Sequence, residues 1–282
     1  MPPSPKQPDR YALIGYPVEH SRSPLIHQLF ARQTGQNLTY ELIDASPEQF
    51  ETAVLGFRAA GGLGLNVTVP HKEAAFAISQ EHGPEAESAG AVNTLHFVKN
   101  RIRGDNTDGI GFIRDLTINQ EQSLASSRVL VLGAGGAARG IIGPILAQEP
   151  AELTVANRTL ERAEKLRNEL GSPERLTTCS FDDLGDAAAF DIVINATSAG
   201  LHGEQPPFPA SLIRSATFCY DLAYSVKPTP FVDWALANGA ERAVQGWGML
   251  VEQAAESFEI WRGTRPDTAP ILETLNDLVS AS

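Results

Sequence analysis

The sequence predicts an α/β protein of two lobes, and three observations predict it. The first hundred or so residues alternate strand and helix signals; a glycine-rich turn, GAGGAAR at Gly133–Arg139, opens a second alternating segment; and the residues from 247 onward place apolar side chains at helical spacing. The expected layout is an N-terminal α/β lobe over 1–110 plus 247–282 and a Rossmann-like, doubly wound domain over 111–246, with the C-terminal helices returning to the first lobe.

Each element has a local reason. After a proline-rich, polar start over Met1–Pro8, expected to be mobile, YALIGY reads as the first strand. SPLIHQLFARQTG and PEQFETAVLGFRAAG carry helical periodicity, and LTYELID, GLNVTV and AVNTLHF read as strands around them. Asp105–Gly111 is rich in glycine and polar residues and reads as a connection into GFIRDL, a hinge helix. The apolar run Arg128–Leu132 feeds directly into the glycine turn; LTVANR, the helical EKLRNEL and FDIVINAT then complete a βαβαβ unit. GMLVEQAAESFEIWRG follows the loop QGWG as a helix, and PILETLNDLV forms a last one, with Pro270 suited to its first turn.

Composition narrows the function classes. The chain has 282 residues, 42% of them hydrophobic, and a formal net charge of −12. That charge opposes nonspecific attraction to nucleic acid and to anionic membranes, so the expected partner is a small molecule. Cys179 and Cys219 have no metal-ligand spacing, and the six histidines are scattered, so no metal is expected. No stretch resembles a leader or a membrane span, and the expectation is a cytoplasmic protein with both thiols reduced, a monomer or a homodimer.

Gly133, Gly135 and Ala138 have the spacing of a dinucleotide fingerprint at a strand-to-helix turn. Glycine permits the positive φ and the close backbone approach a pyrophosphate requires, and the helix N-terminus behind it offers unpaired N–H groups. Where an NAD enzyme would carry an acidic residue, this chain has Asn157, Arg158 and Thr159. A guanidinium suits a ribose phosphate and the asparagine adds an amide donor, so NADP is favoured; Arg162, four residues on, offers a second positive charge.

Three polar clusters interrupt the first lobe. GYPVEHSRSP places Ser21 and Ser23 at a strand-to-helix junction, where serine caps helices but two hydroxyls also suit a polyol or carboxylate. NVTVPHK places Asn66 and Thr68 on one strand face, with Lys72 beyond a proline turn, either a solvated lysine or a functional one. AVNTLHF with GDNTDGIGF places Asn93 at a strand and Asp108 in a loop of the kind that often makes only local turns. Ketone reduction needs a proton donor beside the carbonyl oxygen, a role Lys72 suits best here with Asp108 as partner.

The motifs GYPVEHSRSP, NVTVPHK, AGAVNT, GDNTDG, GAGGAAR, NRT, NATSAG, YDLAY and GMLVEQAA stand in the order found in the shikimate dehydrogenases, and over nearly its whole length the chain resembles that family. The resemblance implies NADP-dependent, reversible reduction of 3-dehydroshikimate to shikimate in aromatic amino-acid biosynthesis. It implies that Ser21, Ser23, Thr68, Asn93, Tyr224 and Gln253 hold the substrate, with Asn66 nearby, and that Lys72 and Asp108 form the catalytic pair, also in contact with substrate. It further implies that Gly133, Ala134, Gly135, Gly136 and Ala137 cradle the pyrophosphate, that Asn157–Arg162 face the adenosine phosphate, and that Leu222 and Gly246 border the nicotinamide. Leu222 stands where many members have methionine, and Gln245 where aspartate is frequent. A quinate-oxidising relative and a catalytically silent NADP-binding regulator are the rival readings.

Overall fold

The computed structural model describes residues 7–197 and 208–280, with side chains through 277. Residues up to Thr107 together with Val251–Ile271 form one compact unit, and Asp108–Leu250 with the residues from Leu272 form a second.

The first unit is built on a six-stranded mixed sheet. In chain order it contains β1 (Asp9–Gly15), α1 (Ser23–Thr34), β2 (Leu38–Asp44), α2 (Phe50–Ala59), β3 (Gly62–Val67), α3 (Lys72–Ile78), the two-residue β4 (Glu81–His82), α4 (Pro84–Ala89), β5 (Thr94–Val98) and β6 (Arg101–Asp105). The strand order is β2-β1-β3-β5-β6-β4, with β1, β2 and β3 mutually parallel and β5 running antiparallel to both β3 and β6. α1 starts with proline in its first turn and ends at Gly35, whose positive φ lets its N–H close back on the last carbonyls. Ala12, Ile14, Val54, Phe57, Leu65, Val67, Leu95 and Ile102 form the core of this unit. β6, sequence RIRGD, has one apolar side chain and no alternation to announce it; it exists because β5 pairs with it across a short turn.

The second unit holds α5 (Asp108–Arg114), a π-helical turn (Asp115–Asn119), β7 (Arg128–Leu132), α6 (Gly136–Leu146), β8 (Glu152–Asn157), α7 (Leu160–Glu169), β9 (Leu176–Ser180), β10 (Ile192–Asn195), β11 (Phe218–Asp221), α8 (Pro230–Ala237) and β12 (Arg242–Gln245). All six strands are parallel in the order β12-β11-β10-β7-β8-β9, the doubly wound order whose switch point lies between β7 and β10. Burial on both faces explains the continuous apolar run of β7: Val129 and Val131 join one core, Leu130 and Leu132 the other.

The long helix α9 (Trp247–Arg262) begins in the second unit and continues in the first, and α10 (Ala269–Ser280) follows it. In the first unit α9 docks on β3 through Trp261. Its indole N–H donates to Leu95 O at 3.1 Å, its ring stacks on Tyr11, and a Cβ on Gly64 would come within 2.5 Å of it. Beyond its first turn, α10 groups with the second unit, whereas the sequence assigns 247–282 to the first. The expected connection over Asp105–Gly111 is also shorter than the sequence suggests, because α5 already starts at Asp108. Gly109 allows that early start: a Cβ there would lie 2.5 Å from Gly140 O and 2.3 Å from Pro144.

Candidate active site

The polar residues of the first unit converge at the strand ends. Just before α1, whose N-cap residue Arg22 makes no side-chain cap, Ser21 Oγ accepts the Ser23 N–H at 3.2 Å and donates to Ser23 Oγ at 3.1 Å, so Ser21 closes a local turn and Ser23 keeps its own hydroxyl proton. Thr68 lies just past β3, half-buried; its N–H donates to Ile14 O at 2.9 Å and its carbonyl receives the His71 N–H at 3.0 Å, which sets the turn into α3. Lys72 opens α3, half-buried, with its carbonyl receiving the Val92 N–H at 2.9 Å.

Asn93 is 2% exposed and almost saturated. Its Oδ1 accepts from Thr107 N at 2.8 Å and Thr94 Oγ1 at 2.9 Å, and its Nδ2 donates to Thr107 Oγ1 at 2.9 Å and Gln253 Oε1 at 3.3 Å. Asn66 lies behind it. Tyr40 donates to Asn66 Oδ1 at 2.8 Å, and Asn66 Nδ2 donates to Ser257 Oγ at 2.9 Å, so both ends of this amide are committed within the fold. Asn66, Asn93 and Gln253 are thereby brought into one hydrogen-bonded cluster. Its other members, Tyr40, Thr94, Thr107 and Ser257, escaped the sequence reading; only the placement of Thr107 inside GDNTDG, and of Ser257 one helical turn after Gln253, hinted at them.

In the second unit Asp108 is the first residue of α5, 4% exposed, at a helix start that favours a carboxylate. Gly133 ends β7 with φ +107°, and a Cβ there would meet Ala196 O at 3.0 Å, so the turn crosses the end of β10 at the switch point. Gly135 is exposed with nothing within 4 Å of a Cβ, leaving open the space over the N-terminus of α6 that a bound pyrophosphate requires. Gly136 and Ala137, half-buried, form the first turn of that helix. Asn157 Oδ1 accepts the Ala134 N–H at 3.2 Å, and its Nδ2 donates to Thr159 O at 2.7 Å. The amide expected to face the cofactor thus also braces the glycine turn. Arg158 and Arg162 are exposed and make no ion pair among the described residues, so two cations stand just past β8, where the strand itself ends in Asn157 rather than an acidic residue. Turn, open space and cations together fit NADP.

Leu222 and Gly246 are also brought together: a Cβ on Gly246 would lie 2.5 Å from Leu222 O, and Gly246 N donates to Ala223 O at 3.0 Å. Tyr224 follows on the same loop, its ring 4.6 Å from that of Trp247. Asp221 anchors this loop, accepting from Asn195 Nδ2 at 3.0 Å, Ala223 N at 3.0 Å and Thr229 Oγ1 at 2.6 Å. Burial raises its pKa, and those three donors offset part of the rise. Gln245 accepts the Ser225 N–H at 2.8 Å, so this departure from the family pattern serves the same loop. Of NATSAG, Asn195 ends β10 and Ala196 and Thr197 follow it, and Ser198–Gly200 lie outside the described residues.

Three family profiles match the chain in order: the shikimate dehydrogenase substrate-binding domain over residues 13–95, the shikimate/quinate 5-dehydrogenase over 115–203 and the shikimate 5'-dehydrogenase C-terminal domain over 246–275. A shikimate dehydrogenase (NADP(+)) from Alkalilimnicola ehrlichii is 54% identical over 267 residues, covering 95% of this chain and 98% of the relative. Among solved structures, an Ael1 enzyme from Pseudomonas putida superposes with a TM-score of 0.86 at 46% identity, covering 95% of this chain and 98% of the other. The shikimate 5-dehydrogenase of Thermus thermophilus in complex with NADP(H) and shikimate gives 0.84 at 34% identity, over 95% and 99%.

Proposed function

The chain belongs to the shikimate dehydrogenase family, and from that premise we propose how its residues divide the work. It is an NADP-dependent oxidoreductase that interconverts 3-dehydroshikimate and shikimate in aromatic amino-acid biosynthesis. Gly133–Ala137 hold the pyrophosphate over the start of α6, and Arg158 with Arg162 neutralise the phosphate on the adenosine ribose; Asn157 and Thr159 shape that end. Leu222 and Gly246 border the nicotinamide ring. When bound, NADPH supplies the hydride.

Ser21, Ser23, Thr68, Asn93, Tyr224 and Gln253 recognise the carboxylate and hydroxyl groups of the substrate, with Asn66 supporting Asn93 from behind. Lys72 Nζ gives a proton to the oxygen of the reduced carbonyl, and in the reverse direction takes it from the hydroxyl. Asp108 is assigned from the family resemblance as the second member of the catalytic pair, accepting a hydrogen bond from a substrate hydroxyl. The observation that carries the substrate half is the match of residues 13–95 to the shikimate dehydrogenase substrate-binding domain, a span that contains Ser21, Ser23, Asn66, Thr68, Lys72 and Asn93. The two unpaired cysteines fit a reducing, cytoplasmic setting. No helix among the described residues is long and apolar enough to cross a membrane.

The test is absorbance at the reduced-nicotinamide band with purified protein, NADP or NAD, and shikimate or quinate. Rapid NADP reduction with shikimate alone supports the reading; comparable rates with quinate or NAD would move it to a broader quinate/shikimate enzyme. Silence with every pair would sink it.

A further inference from the structure

Ser257 is fully buried on α9, one turn beyond Gln253, and four polar groups crowd its hydroxyl. Asn66 Nδ2 lies 2.9 Å away, Thr94 Oγ1 2.7 Å, Thr107 Oγ1 3.2 Å and Gln253 O 3.0 Å. A hydroxyl has one proton and two lone pairs, so the neighbours decide its direction. Tyr40 donates to Asn66 Oδ1, which turns the Asn66 amide so that its N–H points at Ser257. Thr94 gives its only hydroxyl proton to Asn93 Oδ1, so toward Ser257 it is an acceptor.

Ser257 has a single proton for two acceptors, Gln253 O at 3.0 Å and Thr94 Oγ1 at 2.7 Å. Because Gln253 O also accepts from Thr107 Oγ1 at 3.0 Å, the shorter contact to Thr94 takes it. A one-way chain results: Tyr40 to Asn66, Asn66 to Ser257, Ser257 to Thr94, Thr94 to Asn93. Its end point joins the Thr107 N–H on Asn93 Oδ1, and the two donors together set which way the Asn93 amide faces. With Oδ1 turned to Thr94 and Thr107 N, Nδ2 is left to Thr107 Oγ1 and Gln253 Oε1. Hydrogen bonds in series inside a low-dielectric interior strengthen one another, and an unpaired member there is costly. An ordinary helical serine bonding back to its i−4 carbonyl would need only Gln253 O; the three partners on β3, β5 and Thr107 are what a purely helical role leaves unexplained.

We propose that Ser257 is a positioning residue for substrate recognition: through Thr94 it fixes the orientation of the Asn93 amide and holds Gln253 beside it. This rests on the substrate-binding roles assigned above to Asn93 and Gln253.

The test measures KM for shikimate, KM for NADP, kcat and thermal midpoint in the full-length enzyme. The variants are Ser257→Ala, Ser257→Cys and Thr94→Val, with Asn93→Ala and Gln253→Ala as references. Losing one buried hydrogen bond in this chain predicts a rise in shikimate KM of about five- to thirtyfold, with NADP KM unchanged within about twofold. Ser257→Cys, similar in volume and a weaker hydrogen-bonding group, falls between wild type and Ser257→Ala. Ser257→Ala combined with Thr94→Val is no worse than the more damaging single change, because both cut one chain. A lowered thermal midpoint with shikimate KM unchanged overturns the proposal. If Ser257→Ala does not fold, Thr94→Val decides by the same criterion. If Asn93→Ala and Gln253→Ala leave shikimate KM unchanged in an enzyme that still turns over shikimate, the site assignment fails and the inference with it; if they raise it and Ser257→Ala does not, the inference alone fails.

Discussion

The backbone N–H of Ala134 donates to Asn157 Oδ1 at 3.2 Å, while the other end of the same amide holds Thr159 O at 2.7 Å. One neutral side chain therefore ties the glycine turn after β7 to the segment after β8. Aspartate could accept from Ala134 but could not donate to Thr159, and it would set a negative charge beside the phosphate subsite. The residue proposed to disfavour NAD is thus also a brace, and the cation proposed to meet the phosphate is Arg158.

Arg158→Ala removes a charge-assisted contact without touching the brace. The expected outcome is a rise of about ten- to a hundredfold in NADP KM, with little change for NAD, so the preference narrows. Steady-state kcat/KM with both cofactors at saturating shikimate checks it; an unchanged ratio assigns the phosphate to Arg162 or elsewhere.

Two glycines of one motif should fail differently. At Gly133, φ is +107° and a Cβ would press on Ala196 at 3.0 Å, so Gly133→Ala strains the fold and lowers the thermal midpoint. At Gly135, φ is −88° and a Cβ meets nothing within 4 Å, so Gly135→Ala keeps the midpoint but puts a methyl where the pyrophosphate must approach. Calorimetry beside NADP titration separates them; equal loss of stability in both would contradict this division.

That turn was legible because strand, turn and helix are consecutive in the chain and each step is local. The same holds for α1, bounded by its proline and Gly35, and for the continuous apolar run of β7. β6 and β4 were not legible: RIRGD and Glu81–His82 have no apolar periodicity and owe their pairing to strands already in place. The site divided in the same way. Lys72 and Asp108 stand out because charge beside a proline or glycine turn breaks the local pattern. Ser257 and Thr94 are small polar residues inside ordinary elements, and what sets them apart is hydrogen-bond partners up to 191 residues away.

Lys72→Ala should separate chemistry from binding. Lys72 opens α3, and its backbone carbonyl, not its side chain, receives Val92 N, so alanine leaves that contact intact. Turnover should fall about 10²–10⁴-fold with NADP affinity nearly unchanged, as for loss of a positioned acid–base group. Asp108→Asn should also lower turnover, and additionally cost about 0.3–1 kcal/mol of stability, because it discharges a carboxylate in the first turn of α5. Single-turnover rates and NADP binding by fluorescence check both variants. Near-normal turnover in Lys72→Ala would remove it from the proton path.

His27 predicts how the protein responds to acid. It is 1% exposed on α1, its ring stacked on Tyr40 at 4.1 Å and set among Phe30, Phe258 and Trp261. Burial in that aromatic nest lowers its pKa from 6.5 to about 3, with the nearby Asn66 amide offsetting only part of the shift. The folded protein therefore keeps His27 neutral where the unfolded chain protonates it. Between pH 6.5 and about 3 the unfolded state holds the extra proton, so stability is full above 6.5 and falls with acid by about 1.4 kcal/mol per pH unit from this residue. Phenylalanine in its place keeps the stack and cannot titrate, so His27→Phe should show a smaller drop in thermal midpoint between pH 7 and pH 5 than the wild type. Denaturant melts across that range measure the slope directly. Parallel pH dependence in the two proteins would mean that His27 is protonated in the folded state and that its nest is wetter than the packing shows.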